Sequence, residues 1–479
     1  MLTLTEAQAH LDRLVRKLNL RRPSVDKWDG YYRGEQPLQF MTDRSKEFLK
    51  KKNFDGFSDN WCRVVTDAPA ERLEVLGFRL DDDASMSSEE RRLWDSWRKN
   101  DLEIQSSQGF LESCIAGTSY VIVWGNESGE PVVSWQHPNE CFVEYDPEFY
   151  NRRRFAVRAW SDKDLGMEYA NLYTPTEVWK FERETSKIEL PNAGSAINAL
   201  GGSWTPRVVD GEPFPLPNPL GEVPVVEMPN RPMLGQKPVS EVAMATSAQD
   251  FLNLQWSLLY FSSETASLPQ RFVLGAEIPQ VPVFSDTGEV IDYRPINRDE
   301  MSEVMRSGAS MWLQGTDGKH PTIDQWQAAS PEWFLSTLNV VIKNLAAQTR
   351  TPAHYLVAEL VNIAADALRA SEAGLAAKVR ESQTALTPAI REVFRLMTLV
   401  EGNTGLADAV ALGRVVWRSA ETRSEAQMVD AALKLQAIGM PFESIMEYIG
   451  KSPSEIEALK SMRKSDAQIS LFDPMSNFS

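Results

Sequence analysis

Residues 240–266, SEVAMATSAQDFLNLQWSLLYFSSETA, and residues 330–351, SPEWFLSTLNVVIKNLAAQTRT, decide the architecture. The first holds Phe251, Leu252, Leu254, Trp256, Leu258, Leu259 and Phe261, apolar nearly all round, which predicts a long helix with neighbours on more than one side. Leu268-Pro269 ends it. The second opens on Ser330-Pro331-Glu332, where a cap, a first-turn proline and an acidic first turn agree, and runs to about Arg350 before Thr351-Pro352 stops it. The stretch between them has another rhythm. Arg271–Gly275, Val290–Tyr293 and Met311–Leu313 read as strands, Asp299–Arg306 as a helix, and Pro279 and Pro282 as breakers. After a short break at 352–362 a third helix is expected from Ala364 to about Val400, kinked at Pro388 and about 55 Å long at 1.5 Å per residue. Two helices bracketing a small insert suit an extended subunit better than a compact enzyme.

Toward the N-terminus the pattern differs. Leu11, Leu14, Val15 and Leu18 make one helical stripe that Thr5 can cap. Ser88–Asn100, with Glu89 and Glu90 in its first turn and Leu93, Trp94 and Trp97 on one face, and Glu103–Ala116, ending at Gly117, are two more helices. The period then changes to two. Ser119–Trp124 and Pro131–Gln136 form a hairpin, and strands follow near 143–146, 153–160, 168–173 and 177–183. Proline-rich 188–232 is a loop or connection ending in a strand at Glu222–Met228. The tail reads as helices at Ser424–Ile438, Pro441–Ile449 and Ser454–Lys464. The fold class is α+β, and 479 residues imply several folding units.

The formal net charge is −17, which excludes an ordinary duplex binder that neutralises phosphates with Lys and Arg. It is uneven: +5 over 1–53, −13 over 54–238 and −6 over 239–352. Scattered charges in Met1–Leu20 predict no secretory leader, no long uncharged apolar run predicts no membrane span, and Cys62, Cys114 and Cys141 read as buried thiols of an intracellular protein.

Catalytic patterns are missing. Gly308–Lys319 resembles a phosphate loop only in composition, because His320 stands where Ser or Thr is needed. His10, His137, His320 and His354 are scattered, and His137, before Pro138 at a strand end, reads as structural. Asp81-Asp82-Asp83, Lys50-Lys51-Lys52 and Arg152-Arg153-Arg154 read as solvated surface. No catalytic residue, metal ligand or cofactor is expected.

The succession EVPVVEMPNR (222–231), QDFLN (249–253), LPQRFVLG (268–275), TPAHYL (351–356) and ADALRASE (365–372) followed by Lys378 resembles portal proteins of tailed double-stranded-DNA bacteriophages of the siphovirus type, particularly the branch common in phages of actinobacteria. The likeness spans roughly 20–450. It implies a homo-oligomeric ring, usually of twelve subunits, at one capsid vertex, with double-stranded DNA passing through its axis. Residues 1–238 would be the wing, 239–267 and 330–351 the stem helices, 268–329 the clip, 352–363 the tunnel loop, 364–402 the long helix behind it, 403–423 a wing return strand and 424–479 the crown. Implied partners are the terminase large subunit, the major capsid protein and scaffold, and later the head-completion or adaptor protein, in a particle assembled in the host cytoplasm. His354, Tyr355, Glu359 and Asn362 become tunnel-loop candidates for facing DNA, and Lys343 and Arg350 basic stem candidates, whose other reading is a salt bridge to an acidic neighbouring subunit. The Phe251–Phe261 stripe reads as subunit packing. A conduit must hold DNA loosely, so the −6 segment suits its wall. The rival classes are a head scaffold or adaptor that conducts no DNA and a multidomain enzyme with an unrecognised site.

Overall fold

The computed structural model describes residues 2–35, 43, 46–47, 59–81, 86–185, 197, 202–235, 237–267, 271–275, 277–297, 299–301, 315, 320–325, 331–356, 365–421 and 425–472. Helices and antiparallel strands come in separate blocks, the α+β arrangement expected. The chain divides into two compact units, one of Met1–Pro37, Ser58–Gln249 and Ile342–Ser479, the other of Leu38–Phe57 and Asp250–Val341.

The first unit begins with α1 (Leu4–Arg33), α2 (Trp61–Ala70), β1 (Val75–Arg79), α3 (Ser88–Lys99) and α4 (Leu102–Ala116). The strands β2 (Thr118–Gly125), β3 (Pro131–Gln136), β4 (Cys141–Tyr145), β5 (Arg153–Asp162), β6 (Met167–Tyr173) and β7 (Glu177–Glu184) follow, then β8 (Thr205–Pro206), β9 (Leu216–Pro217) and β10 (Val225–Pro229). The cap of α1 is Thr3, not Thr5. Its hydroxyl accepts the Glu6 N–H while the Glu6 carboxylate accepts the Thr3 N–H, a closed capping box that sequence periodicity alone placed two residues late. Leu11, Leu14, Val15 and Leu18 are buried against Phe155, Val157, Leu172, Trp179 and Phe181, so α1 covers one face of the meander β4–β5–β6–β7. Strand β10 joins the expected hairpin as its third strand, pairing Val226 with Val121 of β2.

The larger core lies between α3, α4, the β2 sheet and a long C-terminal helix. Trp97 stacks on Phe394 at 5.1 Å, Phe394 meets Phe78 at 4.7 Å, and Trp94 lies nearly parallel to Trp97 at 5.8 Å. Each such side chain removed from water contributes about 2–3 kcal/mol. Gly109 sits in the middle of α4 because a Cβ there would stand 1.9 Å from Trp135 Nε1; the indole N–H instead reaches Ser119 Oγ at 2.8 Å. Gly117 closes α4 at φ 85°, the left-handed residue its position predicts. All three cysteines are free and buried, as read from the sequence; burial pushes the Cys114 and Cys141 thiols up to about 12.

The helix α5 (Glu241–Ser267) leads from the first unit into the second, whose described strands are β11 (Arg271–Leu274), β12 (Gln280–Phe284), β13 (Val290–Pro295) and β14 (Thr322–Gln325). β11 pairs with β14 and β12 with β13, both antiparallel. Pro282 does not break the chain: it sits inside β12 opposite Tyr293, tolerated because a two-stranded ribbon leaves every second N–H unpaired. The helix expected from Asp299 is described at 299–301 only; its remainder, and the strand expected at Met311–Leu313, lie outside the described residues.

The chain returns to the first unit through α6 (Pro331–Thr349), followed by α7 (Ala353–Leu356), α8 (Ala365–Val400), which continues through Pro388, and α9 (Thr404–Leu412). β15 (Arg414–Trp417) pairs antiparallel with β1, Arg414 opposite Arg79. The tail is α10 (Glu425–Ala437), α11 (Phe442–Tyr448) and α12 (Pro453–Phe472).

Candidate functional site

The junction of α6, α7 and α8 holds the described members of the sequence-derived set. Thr351, preceding Pro352, is pushed away from helical geometry, so α6 ends here. Its closure is a Schellman motif: Thr351 N–H donates to Ala346 O at 3.0 Å, and Arg350 occupies the left-handed position, φ 53°, where glycine is usual. Gly374 of α8 packs against this turn, where a Cβ would meet the Arg350 Cβ at an ordinary 3.7 Å. The Arg350 guanidinium is 2.7 Å from Glu381 of α8, a half-exposed pair within the subunit. Lys343 is exposed, with no ion-pair partner among the described residues.

His354 and Tyr355 sit together on α7, their rings edge to face at 4.8 Å. Arg72, just past α2, fixes this short helix. It donates to Tyr355 Oη at 2.9 Å, to Glu372 of α8 at 3.4 Å and to the Ala420 carbonyl at 3.0 Å. Trp61 Nε1 donates to Leu356 O at 3.3 Å, and His354 Nε2 lies 3.8 Å from Glu372. Tyr355 and Leu356 are therefore tied to Arg72 and to α2, and Arg72 in turn to α8. Glu359 and Asn362 lie outside the described residues. Nothing in the local pattern pointed to Trp61 or Arg72, because their partners are far away in sequence.

Beneath this junction is a buried ionic cluster. Lys378, which closes the quoted motif, is 1% exposed; its Nζ is 2.6 Å from Glu241 at the start of α5 and donates to Thr349 O at the end of α6, 2.9 Å away. Arg231 reaches Glu241 at 2.5 Å, and Asn230 bridges Glu241 to Ser382. One lysine thus ties the long helix to the ends of both helices that bracket the second unit.

Elsewhere, Arg153 and Arg395 face Glu222 and Glu392 in a cavity of about 640 Å³ that Tyr145 and Glu227 also line. Burial works against the charge on Glu392, but Arg395 and Arg153 outweigh it and hold the carboxyl below its usual range. The four charges of Arg153, Arg395, Glu222 and Glu392 pair with one another. Asp29, Glu112 and His137 also converge, and could hold a metal ion. Burial opposes a charge on His137, yet the two carboxylates prevail and raise its proton affinity above that of an ordinary histidine. The sequence showed three isolated residues there.

No helix of the described residues is long and apolar enough to cross a membrane. The family described as phage portal protein, SPP1 Gp6-like, matches residues 11–468. The portal proteins of Mycobacterium phage L5 and Mycobacterium phage D29 are each 28% identical to this chain over 429 residues, covering 85% of it and 79% of their own length. With a match over nearly its whole length, the chain belongs to the SPP1 Gp6-like family of phage portal proteins, structural components of the virion that assemble as rings at a capsid vertex.

Proposed function

We propose that this chain forms the ring through which double-stranded DNA enters and leaves the capsid, docking the terminase motor during packaging and the head-completion or adaptor protein afterwards. The observation that carries this reading is the exposure of large apolar side chains on the two helices bracketing the insert. Phe251 and Leu258 of α5 and Trp333, Leu335 and Val340 of α6 are all more than one-third exposed in the single subunit. Such surface on long helices is what a ring of neighbours covers. In this reading 1–238 is the wing, 239–267 and 330–351 the stem, 268–329 the clip, 352–363 the tunnel loop, 364–402 the long helix, 403–423 a wing return strand and 424–479 the crown.

The clip reading draws support from β13, exposed along its length, with Ile291 and Tyr293 open to solvent. A two-stranded ribbon is marginal alone and gains from docking against another chain. Lys343, exposed and without an ion-pair partner among the described residues, is the stem cation suited to weak, screened contact with passing phosphates. Arg350 is held by Glu381, so its contact with DNA would be weaker. His354 and Tyr355 would present the loop containing Glu359 and Asn362.

Negative-stain imaging and mass photometry of the purified protein test the assembly: a ring near twelve subunits with a central hole supports it, and a monomer with a closed pocket sinks it. Deleting residues 354–362 should leave rings intact and impair DNA packaging or retention. Normal packaging by that variant would refute the tunnel-loop assignment.

A further inference from the structure

Asp29 on α1, Glu112 on α4 and His137, just past β3, come from three separate elements and bring one ligand atom each to within 4.8 Å of the others. His137 Nε2 is 3.2 Å from Glu112 Oε1 and 3.5 Å from Asp29 Oδ2. Neither carboxylate has a Lys or Arg partner among the described residues. Glu112 Oε1 is shut off from solvent, and the polar group that faces it is the His137 imidazole at 3.2 Å. One imidazole thus faces two carboxylates, and a shielded carboxylate with a second one beside it is costly unless more positive charge joins them.

We propose that Asp29, Glu112 and His137 are a binding site for one divalent transition-metal ion of the zinc(II) type, which fastens α1 to α4 and to the end of β3. Bonds of about 2.0–2.2 Å from zinc to imidazole nitrogen and carboxylate oxygen set tetrahedral ligand edges of about 3.3–3.6 Å. The two edges that His137 makes, 3.2 and 3.5 Å, are close to these, and the carboxylate pair lies within 4.8 Å. Two carboxylates and a neutral imidazole balance a double positive charge. The imidazole also selects the metal: Mg²⁺ and Ca²⁺ take oxygen ligands, while zinc and its neighbours accept nitrogen and oxygen together. His137 is one-third exposed, so the fourth position opens to water.

One contact opposes loading. The Asn139 amide N–H, 3.1 Å away, donates to Nδ1, which leaves Nε2 as the nitrogen facing the carboxylates. With the ion on Nε2, the single remaining ring proton sits on Nδ1, any other is released to solvent, and the Asn139 amide must turn aside. The metal-bound ring is neutral, and the site binds more weakly than a dedicated zinc centre.

The test uses the full-length protein stripped with chelator and dialysed, with ZnCl₂ as the probe and elemental analysis at equilibrium. One zinc per chain is expected, undisturbed by excess Mg²⁺. Glu112→Gln and His137→Gln should each weaken binding at least about tenfold, since even outer-shell partners of metal sites commonly cost that much. Co²⁺ should give the intense visible bands of a low-coordinate ion, absent from His137→Gln. Asp29→Asn serves as a third probe if either variant misfolds, with far-UV circular dichroism as the check. Substoichiometric binding in the wild type, unchanged affinity in folded variants, or a cobalt spectrum of the hydrated ion alone would overturn the site and leave an ion-free hydrogen-bonded cluster.

Discussion

Removing the charge of Lys378 tests whether the ends of α5 and α6 are locked to α8. Lys378 and Glu241 are both 1% exposed and 2.6 Å apart, so solvent cannot replace either partner. Deleting one member of a buried pair commonly costs about 3–5 kcal/mol, because the survivor stays buried and uncompensated. The two single variants should differ within that range. In Lys378→Met, Glu241 keeps Arg231 at 2.5 Å, which places the loss near the lower end, about 3 kcal/mol. In Glu241→Gln, Lys378 keeps a carbonyl, Thr349 O, and Arg231 keeps Glu381 at 3.9 Å and the weak acceptor Met244 Sδ at 3.5 Å, so the loss moves toward about 5 kcal/mol. Combining the two should cost less than the sum by about 2–3 kcal/mol, the coupling of a direct contact. Urea unfolding followed by tryptophan fluorescence reads this directly, since Trp94 and Trp97 pack in the core to which α8 contributes. Protein concentration must be held fixed, because subunit association shifts apparent stability. Additive losses, or a Lys378→Met cost below about 1 kcal/mol, the range of a surface pair, would refute the lock.

Gly109→Ala should destabilise by about 1–3 kcal/mol although alanine is the better helix former, because its methyl would overlap the Trp135 indole; urea denaturation decides, and a stabilised variant would mean the indole can move. Arg72→Gln should cost more than Tyr355→Phe, about 2–3 against about 1 kcal/mol, since the arginine also holds Glu372 and Ala420 while the tyrosine loses one hydrogen bond. The same pair compared by hydrogen exchange should show faster exchange at 353–356 in Arg72→Gln. Iodoacetamide at pH 8 should leave all three cysteines unmodified in the native protein, as the two thiols held near 12 ionise only far above that pH, and should label them once urea exposes the core; mass spectrometry counts the adducts.

Local periodicity made much of the fold readable. The stripe Leu11–Leu18, the face Leu93–Trp97 and the alternating strands all came out where the spacing of apolar side chains put them, since burial on one face imposes a period whatever the tertiary context. Pro331 and Gly117 marked helix ends through their own backbone preferences. The misses were cases where a neighbour overrode a local signal. Pro282 was tolerated by its ribbon, and Thr3 displaced Thr5 because Glu6 stood at the reciprocal position. The contacts around the junction were legible only in part. His354 and Tyr355 were flagged by family likeness, whereas Arg72 and Glu372 meet from positions 300 residues apart, a distance at which spacing carries no information. Lys378 entered the sequence reading only as the close of the family motif, and the contacts that explain its burial, Glu241 and Thr349, come from distant elements.

The pairing of β1 with β15 has a consequence for the order in which the protein can be made. Val75–Arg79 leaves the ribosome early, but its hydrogen-bonding partner, Arg414–Trp417, is among the last strands translated, and the core around Phe78 and Trp97 also waits for Phe394. At about 5–20 residues per second the intervening chain takes on the order of half a minute to synthesise. For that time the emerging polypeptide presents an open strand edge and several large aromatic side chains that only its own C-terminal third can cover. A prematurely terminated chain therefore lacks both the partner strand of β1 and the Phe394 ring on which Phe78 and Trp97 pack.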